Sequence, residues 1–272
     1  MKILVVGDIH GDIAAIELAF KLACLQSVDR ILQVGDFGYF PRIPAFRRFL
    51  RVCSRLAQET GIPVVFIDGN HEDHYMLPHR ADVLSFHELL PSLFWAARGF
   101  HFIFEKLHFV FLGGAYSIDA ISRVLGATVF PGLECIGYKD IMHTLCAPRC
   151  DVLVCHDAPT SIDFNLKHLY SAGEANRATL DNVAAAIQPR LILHGHYHMY
   201  HDTLVGTTRV VGLGCELNVL DLFGLLSLAG SDFIFSKLAI SDNSELVDSY
   251  LARKLSVAYS IPEDLAGLDV PL

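Results

Sequence analysis

Five short apolar runs in this chain each end on residues drawn from aspartate, asparagine and histidine. "ILVVG" is followed by Asp8 and His10, "RILQVG" by Asp36, "VVFIDG" by Asn70 and His71, "DVLVC" by His156, and "RLILHG" by His196 and His198. Imidazoles and carboxylates without cysteine thiolates favour manganese, iron, zinc or similar divalent ions over a structural Cys-type zinc site. Seven candidate ligands, Asp8, His10, Asp36, Asn70, His156, His196 and His198, exceed the roughly three protein ligands that a mononuclear catalytic zinc takes. They suit two ions about 3.5–4 Å apart sharing a bridging carboxylate, an arrangement used for phosphoester cleavage. In "RLILHGHYH" histidines recur at alternate positions. If "RLIL" is a strand, His194, His196 and His198 project to one side, with a turn at Gly195 loosening the alternation. That spacing suits imidazoles converging on one charge, but it does not name the charge.

The elements that must position these groups are legible as apolar runs at 3–7, 30–35, 63–69, 107–114, 151–156, 190–195 and 209–214. Continuous runs of this kind, without polar alternation, suit strands buried on both faces. Between several of them lie helix-length segments: "DIAAIELAFKLACLQ" with Asp12 as N-cap, "IPAFRRFLRVCSRLAQET" and "GEANRATLDNVAAAIQ". Alternating strands and helices predict a layered α/β fold, with ligands at the carboxyl ends of the strands. Residues 72–105 break the rhythm with histidines, prolines and aromatics and read as a cap insertion over the site. The expected organisation is one domain over 1–230, followed at 231–272 by a helix and a Pro-containing tail packed on it. Removing that tail is expected to leave the metal-site chemistry intact.

Composition bounds the function. The chain has 272 residues, 52% hydrophobic and 19% charged, enough to bury a sizeable core and too apolar for general disorder. A formal net charge of −9 argues against a general nucleic-acid binder, which carries a basic patch. It leaves room for an anionic substrate, because bound cations reverse the local field. Seven scattered cysteines without paired zinc spacing read as reduced thiols. The N-terminus reads as a first strand and not a signal peptide. The longest apolar candidate, "LFGLLSLAG", is well short of the roughly 20 residues of a membrane helix. A soluble, cytoplasmic protein without a membrane partner is expected.

The ordered series "GDIHG", "GDFG", "GNHE", "CHDAP" and "GHYH" resembles the calcineurin-like metallophosphoesterase superfamily over about residues 1–222. The resemblance implies two packed β-sheets flanked by helices, a four-layer sandwich with the site at one edge. It implies Asp8, His10 and His198 as ligands of a first metal, Asn70, His156 and His196 as ligands of a second, and Asp36 bridging both. His71 falls where the family places the histidine that contacts the scissile phosphate. The implied cofactor is two divalent ions, manganese first, with iron, zinc or magnesium as alternatives. A hydroxide bridging them would attack phosphorus in line, and His71 would donate a proton or hydrogen bond to the leaving oxygen.

Two departures bear on the substrate. Protein Ser/Thr phosphatases of the superfamily carry "GDxVDRG" and an arginine just before "GNHE", which grip phosphate bidentately. Here those stretches read "GDFGYF" and "DGNHE", leaving Arg42, Arg98 and Arg123 as substitutes. The expected activity is therefore hydrolysis of a small phosphodiester such as a cyclic nucleotide. The alternatives are a nuclease, a phosphomonoesterase or protein phosphatase, and a non-catalytic metal-binding scaffold. No stable nucleic-acid partner is expected. His74, His79, His87 and His101 read as cap or surface residues, and His108, His143, His168 and His201 have no motif around them. His194 either orients a ligand or faces the core.

Overall fold

The structure, a computed structural model, describes residues 1–78, 84–164, 171–240 and 244–259, except for the side chains of 171, 172, 244 and 255–259. The expectations for His79, for His168 and for the tail beyond 259 lie outside the described residues. In chain order the elements are β1 (Lys2–Val6), α1 (Ile13–Gln26), β2 (Arg30–Gln33), α2 (Pro44–Thr60), β3 (Val64–Phe66), β4 (Phe86–Leu90), β5 (Leu93–Ala96), β6 (Phe100–Phe104) and β7 (Leu107–Leu112). A 3₁₀ turn at Ala120–Ser122 then precedes α3 (Tyr138–Leu145), β8 (Val152–Cys155), α4 (Ser171–Ile187), β9 (Leu191–His194), β10 (His201–Val205) and β11 (Thr208–Gly212). The described chain closes with β12 (Phe223–Ala229), β13 (Asp232–Lys237) and α5 (Ser244–Tyr259).

Two sheets form, one of seven strands in the order β13-β12-β1-β2-β3-β5-β4 and one of six in the order β10-β11-β9-β8-β7-β6. Their centres are parallel: β1, β2, β3 and β5 in the first and β7, β8, β9 and β11 in the second. Antiparallel strands close the edges. The apolar runs make this possible because each central strand is buried on both faces. In β1, Ile3 and Val5 enter the core between the sheets, while Leu4 and Val6 face α1 and α2. In β8, Val152 and Val154 face inward, while Leu153 and Cys155 pack under α3 and α4. The result is the helix–sheet–sheet–helix layering expected from the resemblance.

Local signals work as read. Asp12 caps α1, its carboxylate accepting the Ala15 N–H at 2.8 Å, a contact typically worth about 1 kcal/mol. Pro44 opens α2 and Gly61 closes it in the left-handed region, the asymmetry that missing N–H groups and absent Cβ atoms favour. Three expectations are corrected. Residues 72–105 are not a cap insertion: 86–90 and 93–96 form β4 and β5 of the first sheet and 100–104 form β6 of the second. The mixed polar and aromatic composition of β4 and β6 reflects edge positions, where one face is partly solvated, whereas β5 lies between β3 and β4 and is mostly buried. The expected boundary at 230 cuts the β12–β13 hairpin, whose strands pair along their length. Removing everything after it would strip an edge strand as well as α5. His74 is buried, not a surface residue, within 3.9 Å of Asp68.

Candidate metal centre

The parallel strands of both sheets end at the same edge of the sandwich, and the loops leaving them converge. Asp8 and His10 follow β1, Asp36 follows β2, Asn70 and His71 follow β3, His156 follows β8, and His196 and His198 follow β9. Backbone bonds lace these loops together. The Asp36 carbonyl accepts from the N–H groups of Ile9 and His10, and the His156 carbonyl accepts from Gly195. Among the described residues eight non-glycine residues have positive φ, and four are His10 (49°), Asp36 (55°), His196 (68°) and His198 (56°). A left-handed backbone at such residues is tolerated only where the surroundings over-determine it, and it collects at functional sites. Gly69 shows how close the packing is. A Cβ there would lie 2.6 Å from His156 Nε2 and nearer still to the Asp36 carboxylate, so the chain can pass over these groups only as glycine.

Two groups of ligand-type atoms result. Asp8, His10, Asp36 and His198 offer atoms lying within 4.8 Å of one another, and so do Asp36, His156 and His196, with Asp36 common to both. His10 Nε2 is 3.3 Å from one Asp36 oxygen and His156 Nε2 is 3.2 Å from the other. His198 Nε2 is 3.2 Å from Asp8, whose carboxylate also accepts the His196 N–H at 3.0 Å. Asn70 turns its amide nitrogen to Ser117 Oγ at 3.1 Å. Its Oδ1 is buried without a hydrogen-bond partner, and so is His156 Nε2. His156 Nδ1 donates to the Val34 carbonyl at 2.8 Å, which leaves Nε2 facing the Asp36 carboxylate. With the ring neutral that would set acceptor against acceptor, a costly arrangement unless a proton or a cation sits between them. The donor set, two carboxylates, imidazoles and an amide oxygen with no thiolate, fits divalent cations.

The titration behaviour carries the same demand for positive charge. Burial opposes charge on His156, yet Asp36 and Asp8 raise its pKa to about 10. The hydrogen bond to Asp8, then that to Cys215, pushes His198 up to about 10. Burial also works against His10, but its bonds to Asp36 and Glu216 raise it well above the ordinary value. Burial would raise Asp36, but His156 and His71 outweigh it and hold the carboxyl well below the usual range. His196 goes the other way, lowered to about 3 by burial and by His156. Protons on these imidazoles do in the metal-free protein what cations would do.

His71 stands apart from the ligand groups. Its ring packs edge-on to His10 at 5.2 Å, its Nε2 is 3.5 Å from Asp119, and burial lowers its pKa. Its backbone N–H donates to Asp36 at 2.7 Å. None of the three arginines considered as phosphate grips is free for that task. Arg42 pairs with Asp73 at 2.5 Å and Arg98 is buried on Asp68 at 2.7 Å. Arg123 reaches the site but spends its guanidinium on the Asn70 carbonyl at 3.2 Å, on Ser117 and on Glu134. His194 pairs through Nε2 with His201 at 2.8 Å, behind the site and not in it.

Two acids that sequence reasoning passed over organise the centre. Glu72 is fully buried, its carboxylate accepting the backbone N–H groups of Phe37 (2.6 Å), Gly38 (3.1 Å) and Gly69 (2.6 Å). It thereby ties the loop after β2 to the loop after β3. Burial, then Asp36 and Asp68, pushes its pKa up to about 8. Its place inside "GNHE" was the available signal. Glu216 accepts His10 Nδ1 at 2.9 Å. It follows β11, so the rule that singled out polar residues after strands would have found it had glutamate been admitted.

Known proteins share this architecture. The model of the calcineurin-like phosphoesterase family matches residues 1–200. No curated protein matches. Among solved structures, a dimetal phosphatase from Danio rerio is similar at TM-score 0.58 and 13% identity, covering 88% of this chain and 96% of that one. A protein of Thermus thermophilus is similar at TM-score 0.54 and 18% identity, over 87% and 98%. GAP50, described as the anchor in the inner membrane complex of Plasmodium, is similar at TM-score 0.52 and 14% identity, over 97% and 98%. At these identities the likeness is one of fold. Among the described residues no helix is long and apolar enough to cross a membrane.

Proposed function

The chain belongs to the calcineurin-like phosphoesterase family, a family of metal-dependent phosphoester hydrolases, and on that premise we propose that it hydrolyses small phosphodiesters, cyclic nucleotides among them, with two divalent cations. The observation that carries the two-cation reading is the sharing of Asp36 by two groups of ligand atoms. Asp8, His10 and His198 would complete one side, and Asn70, His156 and His196 the other. Manganese is the first candidate by ligand type. Bound there, two cations would supply a nucleophile from water at neutral pH and neutralise charge on the phosphoryl oxygens.

The chain's own groups do the rest. Asp36 and Asp8 set the negative charge that draws the cations in. Glu72 and the glycines keep the loops at their spacing. His71, beside the ligand groups but outside them, would donate to the leaving oxygen, and its Nε2 lies 3.5 Å from Asp119. Support for a small substrate over a phosphoprotein comes from the arginines, all three bound to protein partners. The net charge of −9 disfavours a nucleic-acid polyanion. Seven free cysteines, three of them buried behind apolar surroundings that push their thiols up, suit a reducing, cytoplasmic setting.

The test is a panel of cyclic nucleotides, bis(p-nitrophenyl) phosphate, p-nitrophenyl phosphate and a single-stranded oligonucleotide, each with manganese-loaded protein. Turnover of the diesters well above the monoester and the oligonucleotide is expected. Preference for the monoester or the oligonucleotide overturns the substrate class. Two bound ions without turnover of anything would fit an anchoring role, such as the description of the Plasmodium structure names.

A further inference from the structure

Glu216 is where the far end of the chain reaches the site. Its backbone N–H donates to the Asp8 carbonyl at 3.0 Å. Its carbonyl accepts two bonds from α5, from the Tyr250 hydroxyl at 2.6 Å and the Lys254 ammonium at 2.8 Å. Its carboxylate takes the Nδ1 edge of His10 at 2.9 Å. The α5 residues are themselves fixed: Tyr250 is buried, and Lys254 bonds the Tyr250 hydroxyl at 3.1 Å and pairs with Asp12, the cap of α1, at 3.4 Å. Glu216 is thus pinned on both sides of its backbone, which fixes the point from which its carboxylate reaches His10.

That fixity has a chemical consequence at His10. With Nδ1–H directed at Glu216, Nε2 is the nitrogen turned to Asp36, 3.3 Å away, and the one left to a cation when the ring is neutral. The carboxylate also makes the imidazole a stronger donor to a cation. On the other side of the centre the corresponding partner of His156 is the Val34 carbonyl, a neutral backbone group inside the core. We infer that Glu216, braced by Tyr250 and Lys254 of α5, is a positioning residue for His10, so that the C-terminal helix sets the affinity of the cation held with Asp8, His10 and His198 and leaves the cation beside His156 alone. This inference rests on the two-cation reading above.

The experiment is calorimetric titration of the metal-free full chain with manganese, with thermal melting of each variant alongside. The unmutated protein is expected to take up two ions. In Glu216→Ala one binding event should weaken about 10–100-fold, the other staying as it was. Glu216→Gln, whose amide oxygen still accepts from Nδ1, should recover much of the loss. Tyr250→Phe/Lys254→Met, which leaves His10 and Glu216 in place, should weaken the same event about threefold to tenfold, and it decides the matter should Glu216→Ala fail to fold. Arg253→Ala removes an α5–α1 pair with Glu17, 2.9 Å long, without touching Glu216 and should leave both events unchanged. Equal weakening of both events, no weakening in either Glu216 variant or the double variant, or a loss in Arg253→Ala matching that of the double variant overturns the positioning role. Fewer than two ions on the unmutated protein overturns the two-cation reading instead.

Discussion

The two halves of the centre are built from different material. The half around His156 and Asn70 is core: His156 is fully buried, its Nδ1 is tied to a strand-end carbonyl, and Gly69 passes close over Asp36 and His156. The half around His10 and His198 lies nearer the surface, with the His198 side chain 42% exposed, and His10 bonds a glutamate 206 positions along the chain. A ligand held by the core comes with the fold, whereas a ligand held from outside can be tuned without disturbing it.

The change that should break both halves at once is at Asp36. Asp36→Asn keeps a residue that tolerates the left-handed backbone while removing the shared charge. Loss of nearly all turnover and of most of both metals is expected, with a folded protein by circular dichroism. Two ions retained at full occupancy with normal turnover would end the shared-ligand account.

The next largest effect tests the one group outside both halves. If His71 donates to the leaving oxygen, His71→Gln keeps both metals and loses about 10²–10⁴-fold against a cyclic nucleotide. The loss should be clearly smaller against bis(p-nitrophenyl) phosphate, whose leaving group departs without help. Equal losses would make His71 a transition-state hydrogen-bond donor, and loss of one metal would move it into the coordination shell.

The contrast between core and surface is sharpened by paired substitutions. Both His156→Ala and His198→Ala should lose turnover, but they should differ in stability. His156→Ala strands the buried Val34 carbonyl and should cost the metal-free protein about 1–3 kcal/mol, read by denaturant unfolding. His198→Ala, at the rim, gives up its ion pair with Asp8 but strands no buried carbonyl, so it should cost clearly less, and almost nothing above about pH 10, where the ring is neutral. Equal midpoints for the two would erase the distinction.

The smallest effect is in pH. His156 and His198 have folded pKa values of about 10, above an unfolded value of about 6.5. In the metal-free protein the stability they contribute is fully present below about 6.5 and is lost as pH rises toward about 10. Manganese must displace those protons, so its affinity should rise with pH over the same window, about tenfold per pH unit for each proton released. In the loaded protein the two trends cancel, so its melting temperature should stay nearly flat over that window while that of the metal-free protein falls. Parallel slopes would mean that the imidazoles do not exchange protons for metal.

What the sequence determined by itself is the part written locally. All seven apolar runs became strands, since a continuous run suits two-sided burial and nothing else in the chain competes for it. Asp8, His10, Asp36, His156, His196 and His198 stand together because each follows such a run, and parallel strands deliver their ends to one edge. The edge strands β4, β6, β10 and β13 were not legible. With one face partly wet, their side chains mix polar and apolar types, and partners on the neighbouring strand, not local pattern, made them strands. The supporting groups were equally hidden. Asp119 beside His71, Glu216 on His10 and the Tyr250–Lys254 brace on Glu216 come from positions 34 to 206 residues away from the groups they serve. No spacing rule links residues so far apart. Only the packing of two sheets, and of α5 against α1, brings their side chains within hydrogen-bond reach, because a contact of that range is decided by the whole chain's burial and not by any segment of it.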